Sequence, residues 1–418
     1  MKVLIIGAGA QGGPCASILA RDKDVSEAIL ADIDLELAKK VREKIGSDKI
    51  TVSKLDAGNR DDVRKTAKGV DVVINLTLTA YNFVIMQAAM ESGAHYVDTS
   101  FGEPTSLDIM STDNILSQII QNRPISFDKE FKSAGLTALL GCGGTPGTAN
   151  VMARFICDKL DQVEEIRIRR GMRSLRKSTD VVSAWTPSWS PFRALWGCAV
   201  EPIVFENGRY RQYPIFSSPE EYHFPDPVGP VLLTYHQHQE QVTLPRFIGK
   251  GIKYCDFKYP VDMLAGAFVK MGFAAPDAID VKGIRVVPRD VLLKLVSPPA
   301  DTFLAEGEPK AQQLDRVELM VVDVKGARSG DKIRYTVDTP SNFYRTAEEK
   351  LGVYKTFGTT IIGVALPASV GAKMCVKGIT ERGVTFPECF DPETFFKMTA
   401  EMGAPVNLHE TSSWKQSF

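Results

Sequence analysis

Four aliphatic residues followed at once by spaced glycines constrain this chain more than any other feature. Val3 to Ile6 form a short continuous apolar run, which predicts a strand buried on both faces. The glycines after it follow the pattern G-x-G-x-x-G, in which the loop backbone approaches a pyrophosphate and the next helix directs free N–H groups at the phosphates. The loop residues predicted to bind a dinucleotide are Gly7, Gly9, Ala10, Gln11 and Gly12.

A carboxylate follows the second apolar run at the distance that a dinucleotide site requires. Asp32 and Ile33 come about 20 residues after the last motif glycine. A carboxylate there accepts hydrogen bonds from both ribose hydroxyls and repels a 2′-phosphate, so the sequence favours NAD over NADP. Asp56 also suits the adenine end, although it equally suits the N-cap of the next helix. The other residues predicted near the cofactor are Ala57, Asn75, Leu76, Thr77 and Thr79.

The bulk composition excludes several classes of partner. A net charge of −1 and a charged fraction of 24% leave no basic footprint for nucleic acid or an anionic membrane. No apolar run approaches the roughly 18 residues that a membrane helix needs, and the first residues show no signal-peptide pattern. Seven scattered cysteines without a C-x-x-C pair indicate a reduced, cytoplasmic protein. His236, His238 and Glu240 lack a further ligand at metal spacing, so no metal site is predicted.

The pattern of predicted strands and helices changes after the first third of the chain. Alternating strand and helix patterns predict a doubly wound parallel sheet of the Rossmann type over residues 1–125. Residues 126–358 are expected to form an α+β domain with a mainly antiparallel sheet, for substrate binding and dimerisation, and Asn207-Gly208 predicts a hairpin within it. The helical tail, residues 359–418, is expected to pack back on the first domain. The predicted fold class is therefore α/β with an additional α+β domain.

Several short stretches in a fixed order carry a resemblance that covers essentially the whole chain. They are MKVLIIGAGAQG, LADIDLELA, DVVINL, GAHYVDTS, GGTPG, SWSP, TLPRF, VVPRDVLL and ERGVTFPE. In this order they resemble the saccharopine dehydrogenase-like family. The resemblance implies an NAD(P)-dependent oxidoreductase that acts at a CH–NH centre and pairs through its sheet as a homodimer.

Two parts of the sequence depart from the patterns of that family, and they bear on which of its branches the chain resembles. Thr145 stands where the enzymes that form secondary amines carry an aspartate before Pro-Gly, which favours the branch of lysine 6-dehydrogenases. The segment from His236 to Glu240 is richer in ionisable groups than that branch leads us to expect. The resemblance therefore leaves the substrate open.

Oxidation at a carbon that bears an amine needs the neutral amine, because the nitrogen lone pair drives the hydride out. An aliphatic ammonium has an unperturbed pKa near 10.4, so a residue must accept its proton. Asp98 ends the fifth predicted strand, where open α/β sheets bind ligands, and it equally suits a cap of the loop that follows. The other candidate acceptors are Tyr81, His95, His238 and Glu240.

The carboxylate of an amino acid substrate calls for a bidentate arginine. Arg246 is the best placed, since it follows Pro245 in TLPRF, and the other candidates are Arg173, Arg176 and Arg193. Each of these equally suits a solvated surface, and three further arginines that alternate along one strand, Arg167, Arg169 and Arg170, are expected to spread over its faces. Thr145 and the tryptophans of WTPSWSP, Trp185 and Trp189, are candidate walls of a substrate pocket, although core packing explains the tryptophans equally well.

Three functions follow from these observations. The first is NAD-linked oxidative deamination of the terminal amine of a diamino acid. The alternative is reductive condensation of an amine with a carbonyl acid, which gives a saccharopine- or carboxynorspermidine-like secondary amine. The third is an NAD(H) sensor without turnover. The expected partners are a small amino acid or polyamine-like substrate and a second copy of the chain, with no nucleic acid and no membrane.

Overall fold

The glycine loop joins the first strand and the first helix of a seven-stranded parallel sheet. The computed structural model describes residues 1–101, 127–175, 184–187, 189–296, 300–310 and 314–414. The strands of this sheet are β1 (Lys2–Ile6), β2 (Glu27–Asp32), β3 (Ile50–Lys54), β4 (Val72–Asn75), β5 (His95–Asp98), β6 (Thr137–Leu139) and β17 (Gly383–Thr385). Their order is β17-β6-β5-β4-β1-β2-β3. Because β1 lies between β2 and β4, the connections diverge at its carboxyl end, where such sheets bind ligands.

Helices cover both faces of this sheet. They are α1 (Gly12–Arg21), α2 (Leu35–Ile45), α3 (Arg60–Thr66), α4 (Asn82–Glu91), α5 (Phe127–Ser133) and α13 (Ala365–Val376), with a short 3₁₀ helix at Thr79–Tyr81. Val3 and Ile5 belong to the core on one face, and Leu4 and Ile6 belong to the core on the other. The apolar run of β1 is therefore buried on both sides, and the predicted Rossmann-type sheet is confirmed.

The second sheet is mixed and has nine strands. They are β7 (Gln162–Ser174), β8 (Ile203–Glu206), β9 (Arg209–Gln212), β10 (Glu220–Phe224), β11 (Gly229–Tyr235), β12 (Tyr254–Pro260), β15 (Arg316–Arg328), β16 (Asp331–Pro340) and β18 (His409–Trp414). The pairs are antiparallel except for β7 with β12, as the mainly antiparallel prediction requires. Asn207 and Gly208 both have positive φ and join β8 to β9, which confirms the predicted hairpin.

A second set of helices surrounds this sheet. They are α6 (Thr148–Cys157), α7 (Pro191–Ala199), α8 (Glu240–Ile248), α9 (Met263–Lys270), α10 (Pro288–Leu295), α11 (Ala300–Ala305), α12 (Ala347–Phe357) and α14 (Pro392–Glu401), with a 3₁₀ helix at Pro387–Cys389 and a small hairpin of β13 (Ile279–Val281) and β14 (Ile284–Val286). In the described part of the chain, no helix has both the length and the apolar character to cross a bilayer.

Sheet membership differs from the predicted division of the chain at two points. The boundary at residue 125 lies outside the described residues, and β6, which follows it, still belongs to the first sheet. The tail is also divided between the sheets. α13 packs against the first sheet and β17 pairs with β6 within it, whereas β18 pairs with β16 at the edge of the second sheet. An unpaired edge offers free backbone groups, and β18 satisfies those of β16.

The two faces of β7 have different surroundings. Ile166 and Ile168 lie in the core beneath α6 and α8, on the face toward the first sheet. Arg169 alternates to the opposite face, where its guanidinium pairs with Asp256 of β12. The next residue, Arg170, returns to the first face. This alternation brings one arginine of the strand to the space between the two sheets.

Candidate active site

A cavity of about 840 Å³ lies between the carboxyl ends of the parallel strands and the second sheet. Ligand sites in proteins occupy roughly 300–1,000 Å³, so this one is large. Eleven residues that the sequence assigned to the cofactor line it: Gly7, Gly9, Ala10, Gln11, Asp32, Ile33, Asp56, Ala57, Leu76, Thr77 and Thr79. The opposite wall comes from the GGTPG loop, α7, residues 236–239 and the first residues of β15.

The glycine loop fits a dinucleotide. Gly7 has a φ of +103°, which the turn after β1 requires. A Cβ at Gly9 would meet no atom within 4 Å, so the backbone faces open space where a pyrophosphate can approach. A Cβ at Gly12 would lie 1.9 Å from the carbonyl oxygen of Gly7, so only glycine lets α1 pack this close to β1. Gly12 thus shapes the loop from behind and does not line the cavity.

Asp32 holds the loop as well as facing the cavity. Its carboxylate accepts hydrogen bonds from the backbone N–H of Ala8 at 2.7 Å and of Asp34 at 2.9 Å. Asp56 accepts from the N–H of Gly58 at 2.9 Å, and the helix cap that the sequence also allowed for Asp56 is Asn59 instead. Both carboxylates therefore remain at the nucleotide end, fixed by backbone donors.

The loop after β4 is positioned from below by Asn75. Asn75 is buried, does not line the cavity, and accepts from the N–H and the hydroxyl of Thr77. Its amide donates to Asn82 and to the hydroxyl of Tyr96. Leu76, Thr77 and Thr79 consequently present their outer surfaces to the cavity, and Tyr81 stands exposed at its mouth.

The structure does not bring Asp98 to the cavity wall. Its side chain is buried and accepts from the N–H of Gly141 at 2.7 Å and from the hydroxyl of Tyr96 at 3.1 Å. Burial raises the pKa of this carboxyl to about 7. Thr99 and Ser100, the next residues, line the cavity in its place. His95 is also structural, since its Nδ1 accepts from Thr137 and burial lowers its pKa to about 4.

His238 and Glu240 form a dyad at the centre of the opposite wall. Glu240 is fully buried at the start of α8, and its Oε2 pairs with Nδ1 of His238. The imidazole stacks on Phe257, with ring centroids 4.0 Å apart and planes within 9°. His238 lines the cavity and Glu240 does not. A carboxylate on Nδ1 selects the tautomer in which Nε2 carries the lone pair, so Nε2 is the atom that can exchange a proton with a ligand.

Residues next to the dyad connect the two domains. The side-chain amide of Gln239 donates to Ser100 Oγ at 2.8 Å and accepts from the N–H of Phe101 at 3.3 Å. A Cβ on Gly197 would lie 2.7 Å from Nε2 of His236, so α7 packs directly on that ring. Burial lowers the pKa of His236 to about 3, which keeps it neutral beside His238.

Of the arginines that the sequence offered as a carboxylate anchor, Arg193 lines the cavity, whereas Arg246 and Arg173 lie elsewhere. Arg246 is exposed in the last turn of α8, and Arg173 is exposed near the end of β7, beside the backbone carbonyls of Pro227 and Val228. Neither lines the cavity. Arg176 falls outside the described residues. The TLPRF context misled the prediction because Pro245 lies inside α8, so that Arg246 continues a helix and does not follow a turn.

A charged cluster that the sequence did not single out occupies the second-domain end of the cavity. Arg170 Nη2 lies 3.0 Å from one oxygen of Glu318, and Arg316 Nε lies 2.8 Å from the other. Two guanidinium groups thus share one carboxylate, and Nε of Arg170 is buried without a hydrogen-bond partner in the described part of the chain. The alternation of β7 was the available signal, because Arg170 shares a face with Ile166 and Ile168.

Aromatic side chains complete this end. Trp189 and Trp196 line the cavity, and the guanidinium of Arg193 stacks 4.7 Å from the Trp196 ring. Trp185 donates instead to Asp262 at 2.9 Å and does not line the cavity. Thr145 lies in the lining with its neighbours in the GGTPG loop. No group of three potential metal ligands occurs among the described residues.

Two family models match the chain in succession. The model described as the saccharopine dehydrogenase NADP binding domain covers residues 3–139, and the saccharopine dehydrogenase C-terminal domain covers residues 143–404. The chain belongs to the saccharopine dehydrogenase family. It is accordingly an NAD(P)-dependent oxidoreductase of CH–NH substrates, which confirms the predicted family, enzyme class and NAD(P) cofactor class.

Curated relatives match over nearly their whole length. One is named carboxyaminopropylagmatine dehydrogenase, from Synechocystis sp., and is 24% identical over 97% of this chain and 96% of its own. Another is named carboxynorspermidine synthase, from Vibrio cholerae, and is 25% identical over 98% of this chain and 97% of its own. These relatives do not support the lysine 6-dehydrogenase branch that Thr145 suggested.

Solved structures show the same fold. The apo saccharopine dehydrogenase (L-Glu forming) of Saccharomyces cerevisiae superposes with a TM-score of 0.68 at 14% identity, over 99% of both chains. The homospermidine synthase of Legionella pneumophila, in complex with NAD, gives 0.61 at 12% identity, over 98% of this chain and 91% of that one. At such identities the likeness establishes the fold of this family member.

Proposed function

We propose that this protein joins an amine to a carbonyl-bearing amino acid or keto acid and reduces the resulting imine to a secondary amine, a polyamine-type reductive condensation. The observation that carries the proposal is the cavity itself. It places the nucleotide loop, the His238–Glu240 dyad and a charged cluster of both signs in one space. The names of the two curated relatives support the same reaction class.

The overall reaction fixes what the residues must do. An ammonium, an aldehyde or ketone, one NADH and one proton give a secondary ammonium, water and NAD⁺. NADH, when bound, supplies the hydride. The attacking amine must first lose a proton, because its unperturbed pKa near 10.4 keeps it charged at neutral pH. His238 lines the cavity, and its Nε2 can take that proton while Glu240 stabilises the imidazolium through Nδ1.

The charged cluster is suited to hold the acid partner. Arg170, Arg316 and Glu318 together carry a net charge of +1, and all three line the cavity. A substrate carboxylate would neutralise the positive charge that Glu318 leaves unmatched on the two arginines. Charge-assisted bonds of this kind contribute roughly 1.5–3 kcal/mol. The aromatic surfaces of Trp189 and Trp196 offer a wall for the alkyl chain of the amine.

The nucleotide end favours NAD. A 2′-phosphate at the ribose would face the carboxylate of Asp32, with Asp34 and Glu36 following on the chain. The arginines and lysine of the cavity lining, Arg170, Arg193, Arg316 and Lys350, all come from the second domain. We therefore retain the preference for NAD over NADP as a proposal, although the matched family model is described as NADP binding.

Oxidative deamination of a terminal amine is the second candidate. Thr145 supports it, because an aspartate is expected at this position in secondary-amine enzymes. The test is a panel of diamines and guanidino amines, each with amino acid semialdehydes or 2-oxo acids, followed by NADH consumption and mass spectrometry. A secondary-amine product that needs both partners supports condensation. NADH formation from one diamino acid alone supports deamination, and tight NADH binding without turnover on any pair supports a sensor.

We also propose that the protein forms a homodimer and is cytoplasmic. The segment from α9 to α10 exposes apolar side chains that a second copy can cover, and those most exposed are Met263, Met271, Ile284 and Leu295. Sedimentation velocity at micromolar concentration should give about twice the 45.9 kDa of one chain. A 45.9 kDa species under those conditions would rule the dimer out.

A further inference from the structure

Three neighbouring loops of the cavity are tied to one buried hydrogen-bond network. The loops follow β4, β5 and β6, which lie side by side in the first sheet. Their lining residues are Leu76 to Thr79, Thr99 with Ser100, and Gly143 to Pro146. The network consists of four buried side chains that carry polar groups, Asn75, Asn82, Tyr96 and Asp98. None of the four lines the cavity, so any effect that they have on a ligand must pass through the loops.

The hydrogen bonds of this network run in one direction. The N–H and the hydroxyl of Thr77 donate to Asn75 Oδ1, at 3.0 and 2.7 Å. The amide of Asn75 donates in turn to the Tyr96 hydroxyl at 3.0 Å and to Asn82 Oδ1 at 2.9 Å. Tyr96 and Asn82 both donate to the carboxylate of Asp98, at 3.1 and 3.3 Å. Asp98 is therefore the last acceptor of a chain of hydrogen bonds that begins at the loop after β4.

The same two side chains at the end of the chain hold the other loops. The N–H of Gly141, two residues before the GGTPG loop, donates to Asp98 Oδ1 at 2.7 Å. The amide of Asn82 also donates to the carbonyl oxygen of Ser100 at 2.7 Å, in the loop after β5. One network thus connects all three loops.

The position of Asp98 suits a group that only accepts hydrogen bonds. Every hydrogen bond that the described residues make to its carboxylate comes from a donor. An ionised carboxylate only accepts, whereas an amide or a protonated acid must also donate. Burial raises the pKa of the Asp98 carboxyl to about 7, and the hydrogen bonds from Gly141, Tyr96 and Ser100 act in the opposite direction. These donors therefore favour the ionised form.

We propose that Asp98 is a positioning residue for the cofactor, because as the last acceptor it fixes the orientation of Asn75 and thereby the loop after β4. That loop packs on the turn of the nucleotide loop. A Cβ on Gly7 would lie 3.0 Å from the carbonyl oxygen of Leu76. A displacement of the loop after β4 consequently reaches the backbone that would bind the pyrophosphate.

Asp98→Asn reverses the direction of the hydrogen bonds without emptying the site. The new amide oxygen can still accept from Gly141, which leaves its NH₂ group toward the Tyr96 hydroxyl. That hydroxyl must then donate to Asn75, and Asn75 must turn its oxygen away from the N–H of Thr77. The loop after β4 loses its anchor, whereas the GGTPG loop keeps its own.

The test measures the loops and the cofactor separately, at pH 8, where the Asp98 carboxyl is ionised. In Asp98→Asn, hydrogen–deuterium exchange followed by mass spectrometry should be faster in residues 76–79 and unchanged in residues 143–147. The Kd of NADH, from fluorescence titration, should rise roughly tenfold, because a buried donor of the loop loses its acceptor. Neither readout needs turnover, so both can fail or succeed independently of the proposed condensation.

Asp71→Asn is the matched control. Its carboxylate also accepts from a backbone N–H, that of Lys2 at 2.7 Å, but Asp71 precedes β4 and lies at the opposite end of that strand. It should leave the exchange of residues 76–79 and the Kd of NADH as they are in the unmutated protein.

Further variants separate positioning from stability and cover the case in which Asp98→Asn does not fold. Tyr96→Phe and Asn82→Ala each leave Asn75 one acceptor for its amide, so exchange in residues 76–79 should change little. The double variant removes both acceptors, and exchange there should become as fast as in Asp98→Asn. Equally fast exchange in Tyr96→Phe alone would overturn the proposal, because the network would then only stabilise the fold. A folded Asp98→Asn, or a folded double variant, in which either readout is unchanged would overturn it as well.

Discussion

Arg169 and Arg170 are neighbours on one strand, yet they belong to different kinds of site. Arg169 has no exposed surface and its charge is balanced, because it pairs with both carboxylate oxygens of Asp256 at 2.7 and 3.0 Å and with Glu220 at 3.1 Å, and Lys258 pairs with Glu220 as well. Arg170 shares the single carboxylate of Glu318 with Arg316, so this group carries one positive charge in excess. The balanced network holds the sheet together, whereas the group with the unmatched positive charge lines the cavity and is available to a ligand.

The structural role of the Arg169 pair is tested by removing its partner, Asp256. Asp256→Ala leaves a buried guanidinium with Glu220 as its one remaining carboxylate partner among the described residues, and breaking a buried pair costs about 3–5 kcal/mol. We expect the free energy of unfolding, from urea titration, to fall by that amount. Arg167→Ala is the matched control on the same face, because its pair with Glu165 is partly exposed and should cost less than about 1 kcal/mol. Equal losses in the two variants would contradict the distinction.

The ligand-binding role of Arg170 is tested through substrate affinity. Arg170→Ala should raise KM for the acid substrate about 10–100-fold, because it removes charge-assisted bonds worth roughly 1.5–3 kcal/mol. The affinity for NADH, from fluorescence titration, should be nearly unchanged. Arg246→Ala and Arg173→Ala are the controls, since both side chains lie outside the cavity. A raised KM in Arg246→Ala with a normal KM in Arg170→Ala would show that Arg246, which the sequence favoured, binds the substrate carboxylate.

The contrast between these arginines also shows where sequence reasoning ends. The glycine loop and Asp32 could be predicted because their function depends on local backbone geometry within about 30 residues. Arg170 could not, because its role depends on which face of β7 meets the cavity. That is set by distant strands such as β15, whose residue Glu318 pairs with Arg170 from 148 positions further along the chain. Asp98 was a catalytic candidate because it ends a strand. Its buried carboxylate accepts hydrogen bonds from Gly141 and Tyr96 instead, and it does not line the cavity.

Glu388 extends the comparison to a buried acid whose carboxylate has no cationic partner in the part of the chain that the structure describes. Its pKa is raised to about 7 by burial, from an ordinary value of 4.5, so the folded state holds the proton more tightly than the unfolded state does. This contribution to stability is complete below about pH 4.5 and is lost as the pH rises through about 7. The free energy of unfolding should therefore decrease between pH 5 and pH 8 more in the wild-type chain than in Glu388→Gln. The difference between the two decreases should be on the order of 2 kcal/mol. An equal pH dependence in both proteins would contradict the assignment.

The smallest expected effect is at the nucleotide end, where Asp32 is held by two backbone donors. Asp32→Ala should weaken NAD and relieve the repulsion of a 2′-phosphate, which shifts the ratio of kcat/KM values for NAD and NADP by roughly tenfold toward NADP. The comparison needs only initial rates with the two cofactors. Equal kcat/KM values for both in the unmutated protein would show that Asp32 does not select between them.

In the proposed reaction, hydride reaches a carbon of an imine formed from two separate substrates. The direct measurement is mass spectrometry of the product formed with NADH deuterated at the transferred position, an amine and a carbonyl acid. Condensation followed by reduction should place one deuterium on the carbon next to the new secondary nitrogen, and none when either organic partner is omitted. A deuterated alcohol, or a labelled primary amine formed without a second organic amine, would contradict it.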